Sequence, residues 1–143
     1  MTVSLIPAEE TVSAGDTFTL DVEVDPSRYG ITAGDVEIFF EPAVFEAIDI
    51  QPGDLMGTNV IMGSRKMDNT AGKVSIAVGR VGTIPASSVP TPAGTLATVQ
   101  IKVKDGVSPR GVSIVITSIG LADQEFSAIT SITKSFTRVT IVP

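Results

Sequence analysis

Apolar residues in this chain recur at every second position, in short runs separated by turn signals. Phe18, Leu20, Val22 and Val24 alternate with Thr19, Asp21 and Glu23, and Val36, Ile38 and Phe40 alternate with Asp35, Glu37 and Phe39. Val99, Ile101 and Val103 alternate with Gln100, Lys102 and Lys104; Val139 and Ile141 alternate with Arg138, Thr140 and Val142. A period of two sends successive side chains to opposite faces of a strand, so each run is a half-buried strand with one core face. A helix would need apolar residues at three- and four-residue steps, and no stretch of useful length has them. Ala43-Val44-Phe45 and Ala86-Ser87-Ser88 are short enough for a single helical turn.

Breaks fall where the alternation stops. Ser13-Ala14-Gly15-Asp16, Asp25-Pro26-Ser27, Pro52-Gly53-Asp54, Asp68-Asn69-Thr70-Ala71-Gly72, Lys104-Asp105-Gly106 and Ser108-Pro109-Arg110-Gly111 carry the Gly, Pro, Asn and Asp of tight turns. Between them lie nine expected strands, centred near residues 4, 20, 38, 47, 61, 76, 99, 115 and 139. That spacing predicts an all-β, antiparallel sandwich. Val81 to Gly94 carries three prolines and no charge. It reads as a long surface loop, because proline cannot donate to a ladder. No internal repeat and no linker divides the chain, so residues 1–143 are expected to form one domain. A domain of this length buries roughly 68–70% of its unfolded surface, which supports a core without covalent staples.

The residues that are missing narrow the function. The chain has no His, Cys or Trp. Without His and Cys the usual transition-metal ligands and the Ser-His or Cys-His nucleophiles are lost. Carboxylate pairs remain able to hydrolyse glycosides, but the expectation is a protein that is not an enzyme. A net charge of −6 with scattered Lys and Arg argues against a nucleic-acid partner. The uncharged run Val112–Ala122 falls short of the ~20 residues of a membrane helix, so no membrane insertion is expected. Met1-Thr2-Val3 opens straight into a strand-like run without a charged leader. Either the protein is cytoplasmic or the chain is a module cut from a longer secreted one.

Several segments, in order, resemble the cohesin family. They are TVSLIP, AGDTFTLDVEV, GITAGDVEIFFEP, EPAVFEAIDIQPGDLM, GKVSIAVG, TLATVQIKVKDG and GVSIVITSIGLADQEFSAI. A Gly-Asp step before a strand is common among β proteins; the ordered set over more than 100 residues is specific. The resemblance implies a nine-stranded jelly roll whose third, fifth, sixth and eighth strands form a face that binds a dockerin. A dockerin is a small helical module with two calcium loops, so calcium would belong to the partner and this chain would need no cofactor. The resemblance also implies an extracellular or cell-surface scaffold, and a monomer or weak homodimer.

The resemblance also places the contacts. Aligning Glu41-Pro42 with the family's acidic-Pro step sets Asp35 on its strand-3 acid, which accepts hydrogen bonds from dockerin hydroxyls. A solvated strand acid is the plain alternative. Glu37 shares that surface, where mere solubility would also explain it. Phe39 is a large ring at an outward position, either under the long Pro loop or in a binding face. Met67 and Asn69 match the fifth strand's contacts, Val78 the apolar contact of the sixth, and Leu121, Ala122 and Phe126 an apolar rim that could equally lid the sandwich. For Val78 the alternation leaves open which face is core. The chain departs from the common pattern at Ala33, where many members carry Asn, and at Arg80-Val81-Gly82, where many carry Glu. Those positions tune partner choice.

Two other functions fit a β sandwich. A carbohydrate-binding module stacks sugars on exposed Trp and Tyr, and this chain has no Trp and only Tyr29. An immunoglobulin-like spacer would give the outward pair Asp35 and Phe39 no task.

Overall fold

The computed structural model describes residues 1–143. It is all-β, with eleven strands and one 3₁₀ turn at Ala86–Ser88. The strands are β1 (Thr2–Pro7), β2 (Thr11–Ser13), β3 (Thr17–Asp25), β4 (Ala33–Phe39), β5 (Phe45–Pro52) and β6 (Val60–Asp68). They continue as β7 (Lys73–Arg80), β8 (Gly94–Val103), β9 (Arg110–Ala122), β10 (Thr133–Ser135) and β11 (Thr137–Val142). All nine expected strands are present. The two additions, β2 and β10, have three residues each, too few for alternation to reveal.

The strands form two sheets, ordered β10-β1-β3-β8-β5 and β2-β11-β9-β4-β7-β6. The expectation of a purely antiparallel sandwich needs correction. β10 pairs parallel with β1, and β2 pairs parallel with β11. Both short strands sit at a sheet's edge and cover strands from the chain's two ends, a protection for otherwise open edges.

The inward sets of both sheets form one cluster of 32 buried apolar residues. Phe18 and Phe45 meet edge to face within it, with ring centroids 5.9 Å apart. Val36, Ile38 and Phe40 are buried and Asp35, Glu37 and Phe39 turn outward, as the alternation predicts. The loop Val81 to Gly94 covers the start of β4: the Thr91 amide donates to the Tyr29 carbonyl at 2.9 Å, and Thr91 Oγ1 accepts from the Ile31 amide at 2.9 Å.

Bulges in β9 and β6 reset the alternation in the six-stranded sheet. In β9 the register against β4 shifts between Glu37 and Ile38, leaving Thr117 as the extra residue. Val112, Ile114 and Ile116 face inward before it, and Leu121 faces inward after it, an odd number of positions away. In β6 the register against β7 shifts between Met62 and Arg65. Beyond this bulge the β6–β7 turn is fixed by Asp68, whose Oδ1 accepts from the Thr70 and Ala71 amides at 3.0 Å each. Gly72 ends the turn at φ +76°, and a Cβ there would strike the Phe40 carbonyl oxygen, so only glycine serves.

Candidate docking face

β4, β7, β9 and β6 correspond to the four strands from which the sequence predicts a binding face, and all four lie in the six-stranded sheet. Their outward residues follow from the pairing. Ala33 faces Gly79 and Ala122, Asp35 faces Ala77 and Gly120, and Glu37 faces Ser75 and Ser118. Ile61 of β6 pairs with Gly79. The middle of the face is therefore floored by glycine and alanine, forming an open trough of about 660 Å³. Ile61 and Phe126 border it, 63% and 61% exposed.

Asp35 stands in this trough. Its carboxylate lies against Gly120, where any Cβ would displace it. It makes no hydrogen bond or ion pair within the chain; the two ion pairs are Arg65–Asp49 and Arg110–Glu41. All its acceptor positions stay available to a partner. Glu37 differs: its Oε1 lies 2.9 Å from Thr117 Oγ1, so the bulged residue already occupies part of that carboxylate. Phe39, 37% exposed, ends β4 beside Lys73 and Val115, roughly 20 Å along the strand from Ala33. The Pro loop covers the opposite end of β4, so Phe39 does not lie under it.

Phe126 occupies a turn that β9 makes as it leaves the sheet. Asp123 Oδ1 accepts from the amides of Glu125 and Ser127 at 2.9 and 3.1 Å. The turn is tied to the start of β4 by Thr32 Oγ1 on the Asp123 carbonyl at 2.7 Å and by the Gly30 amide on Gln124 Oε1 at 3.0 Å. Phe126 itself has φ 62°, a left-handed conformation unusual for a bulky residue. The turn thus holds an aromatic ring over the end of the trough at some conformational expense.

Three sequence-based assignments, Val78, Leu121 and Asn69, are corrected. Val78 is buried at 4% and belongs to the core with Val74 and Ile76; Ser75, Ala77 and Gly79 face out instead. Large residues of the other sheet fill the interior, so it is the outer face of β7 that is left with small ones. Leu121, also 4% exposed, is core and not rim, because the Thr117 bulge reverses the phase of β9. Met67, 40% exposed, pairs with buried Val74 on the edge strand and lies outside the trough. Asn69 is engaged elsewhere: Oδ1 accepts from the Ala47 amide at 2.7 Å and Nδ2 donates to the Ala47 carbonyl at 3.1 Å. That pair of bonds ties the β6–β7 turn to β5 of the opposite sheet, where the β5–β8 register is broken between Ala47 and Asp49.

Ala33, Asp35, Arg80 and Phe126 thus meet at the trough, with Val78 and Leu121 beneath it. Arg80 also borders a second recess of about 430 Å³, shared with Val81 and the Pro loop. Sequence reading missed Ile61, Ala77, Gly79 and Gly120. The repeated small residues of VSIAVG were the available signal for β7; the bulge in VIMGSRKMD hid Ile61. The Arg28 guanidinium sits 5.0 Å from the Tyr29 ring centroid, over one face of the ring.

A family model described as cohesin domain matches residues 2–141. Among curated proteins none matches the chain. Among solved structures, type II cohesin A11 from Bacteroides cellulosolvens is 16% identical, with a TM-score of 0.87 over 99% of this chain and 100% of that one. The type II cohesin dyad from the adaptor ScaA scaffoldin of Acetivibrio cellulolyticus is 14% identical with a TM-score of 0.83; 96% of this chain is covered, and it spans 48% of the dyad. A type I cohesin–dockerin complex, Coh-OlpA-Doc918 from Clostridium thermocellum, gives 18% identity and a TM-score of 0.79 over 99% of this chain and 100% of that chain. At these identities the structural likeness speaks for the fold. The family model spans nearly the whole length, and the chain belongs to the cohesin family.

Proposed function

We propose that this chain is a non-catalytic docking module that binds a calcium-loaded dockerin on the outer face of β4, β6, β7 and β9. In this reading it serves an extracellular or cell-surface scaffold, and the calcium is the partner's. The observation that carries the reading is Asp35: a carboxylate with no partner in its own chain, standing on a floor of glycine and alanine bordered by two exposed apolar residues. A charge-assisted anchor at the middle of an apolar patch is the anatomy of a protein interface. Phe39 extends the same face. Glu37, tied to Thr117, contributes less.

The test is capture of purified dockerin modules by the immobilised chain, with calcium and with chelator. Calcium-dependent capture is the expected result, weakened by more than about 1 kcal/mol in Asp35→Ala and in Phe39→Ala. Failure to retain any dockerin of a panel that includes those encoded alongside the chain would overturn the proposal.

A further inference from the structure

Glycines within strands need a reason, because they weaken the strand and leave nothing to pack. Gly34 on β4 has an internal one: a Cβ there would meet the Leu121 and Leu96 side chains at 2.8 and 3.0 Å. Gly79 on β7 has none. Its φ is not left-handed, and a Cβ built on it meets nothing within 4 Å. It sits on the outer face between Ala33 and Ile61, two strands deep from the edge and beside the trough. Nothing in the folded chain keeps this position bare.

We propose that Gly79 is a specificity-determining position of the docking face, holding open a gap that a bulky apolar side chain of the partner fills. The inference rests on reading this trough as the dockerin site. The walls fit such an occupant: Ile61 stands beside the gap, Phe126 borders the trough, and both are mostly exposed until something covers them. Ala33 and Ala77 keep the rest of the floor low. An interface core packs as densely as a protein interior, so a missing side chain on one partner calls for a large one on the other.

Two measurements test this. Gly79→Ala should raise the melting temperature by about 2–5 °C, because alanine relieves a strand glycine without meeting a neighbour. Gly34→Ala, in contrast, should lower it. Gly79→Val should weaken a captured calcium-loaded dockerin at least about tenfold in calorimetry while the chain stays folded. A large-to-small substitution on that dockerin should restore its affinity for Gly79→Val. A fall in melting temperature for Gly79→Ala overturns the inference without any partner, since it would reveal an internal need for glycine. Unchanged affinity in Gly79→Val, with Asp35→Ala still disruptive, overturns it and leaves the docking function standing. Capture of no dockerin by the unmodified chain removes the docking function and this inference together.

Discussion

On the outer face of the five-stranded sheet, Thr98 Oγ1 donates to Asp21 at 2.9 Å and Thr95 Oγ1 donates to Glu23 at 2.7 Å. Asp21 and Glu23 of β3 each have a partner one strand away on β8. On the six-stranded sheet, the acid at the centre of β4 has small neighbours on both sides, Ala77 and Gly120, and no partner. The two faces are built from strands of similar length and the same alternation. They differ in these acids: Asp21 and Glu23 are bonded within the chain, as Glu37 is to Thr117, and Asp35 is not. A face that satisfies itself needs only water; a face with an open carboxylate on a bare apolar floor gains most when a partner covers it.

The largest expected effect concerns what lies beneath the second face. Leu121→Ala should lower the unfolding free energy by about 2–5 kcal/mol in chemical denaturation, as for a buried leucine. A change below about 1 kcal/mol would return Leu121 to the surface and undo the bulge argument. Next comes the contrast between the acids. Asp35→Ala should weaken dockerin binding by about 2 kcal/mol or more, whereas Asp21→Ala should leave it within about 0.5 kcal/mol. Equal losses in calorimetry would erase the difference between the faces. Asn69→Ala removes two bonds between the sheets and should lower stability by about 1–2 kcal/mol. Its folded form should bind dockerin as before; a binding defect would restore Asn69 to the interface.

The smallest effect is electrostatic. Asp49 on β5 is held below the ordinary carboxylate value of 3.8, first by the hydrogen bond from Gln51, against some desolvation, and then by the Ile50 backbone and Arg65. A carboxylate depressed in the folded state stabilises it at pH values above its unfolded pKa, and that stabilisation is lost as pH falls through the folded value. Below about pH 4 the melting temperature of the wild type should therefore fall slightly more steeply than that of Asp49→Asn. Parallel curves would show that the Asp49 cluster adds nothing to the five-stranded side.

Most of the fold was legible in the alternation. Each run that met the period-two rule became a strand with the expected inner face, and Val36, Ile38 and Phe40 against Asp35, Glu37 and Phe39 is the clearest case. The expectation failed where a strand departs from regular pairing. Thr117 and the Gly63-Ser64 step each insert a residue, which flips every side chain beyond it, and no local pattern marks them. Leu121 was misplaced for that reason. Val78 was misplaced for another: VSIAVG is apolar on both sides, so alternation cannot say which side is buried until the opposite sheet is known. Asn69 looked available because its partner, Ala47, lies 22 positions away in the other sheet.

The sequence by itself determined an all-β chain, its main strands, the family, and the outward position of Asp35 and Phe39, because these follow from local periodicity and an ordered set of segments. Only the tertiary structure decided which small residues form the floor of the trough and which apolar residues sit beneath it. Those assignments depend on cross-strand register and on the facing sheet, and both are set by contacts between residues far apart in the chain.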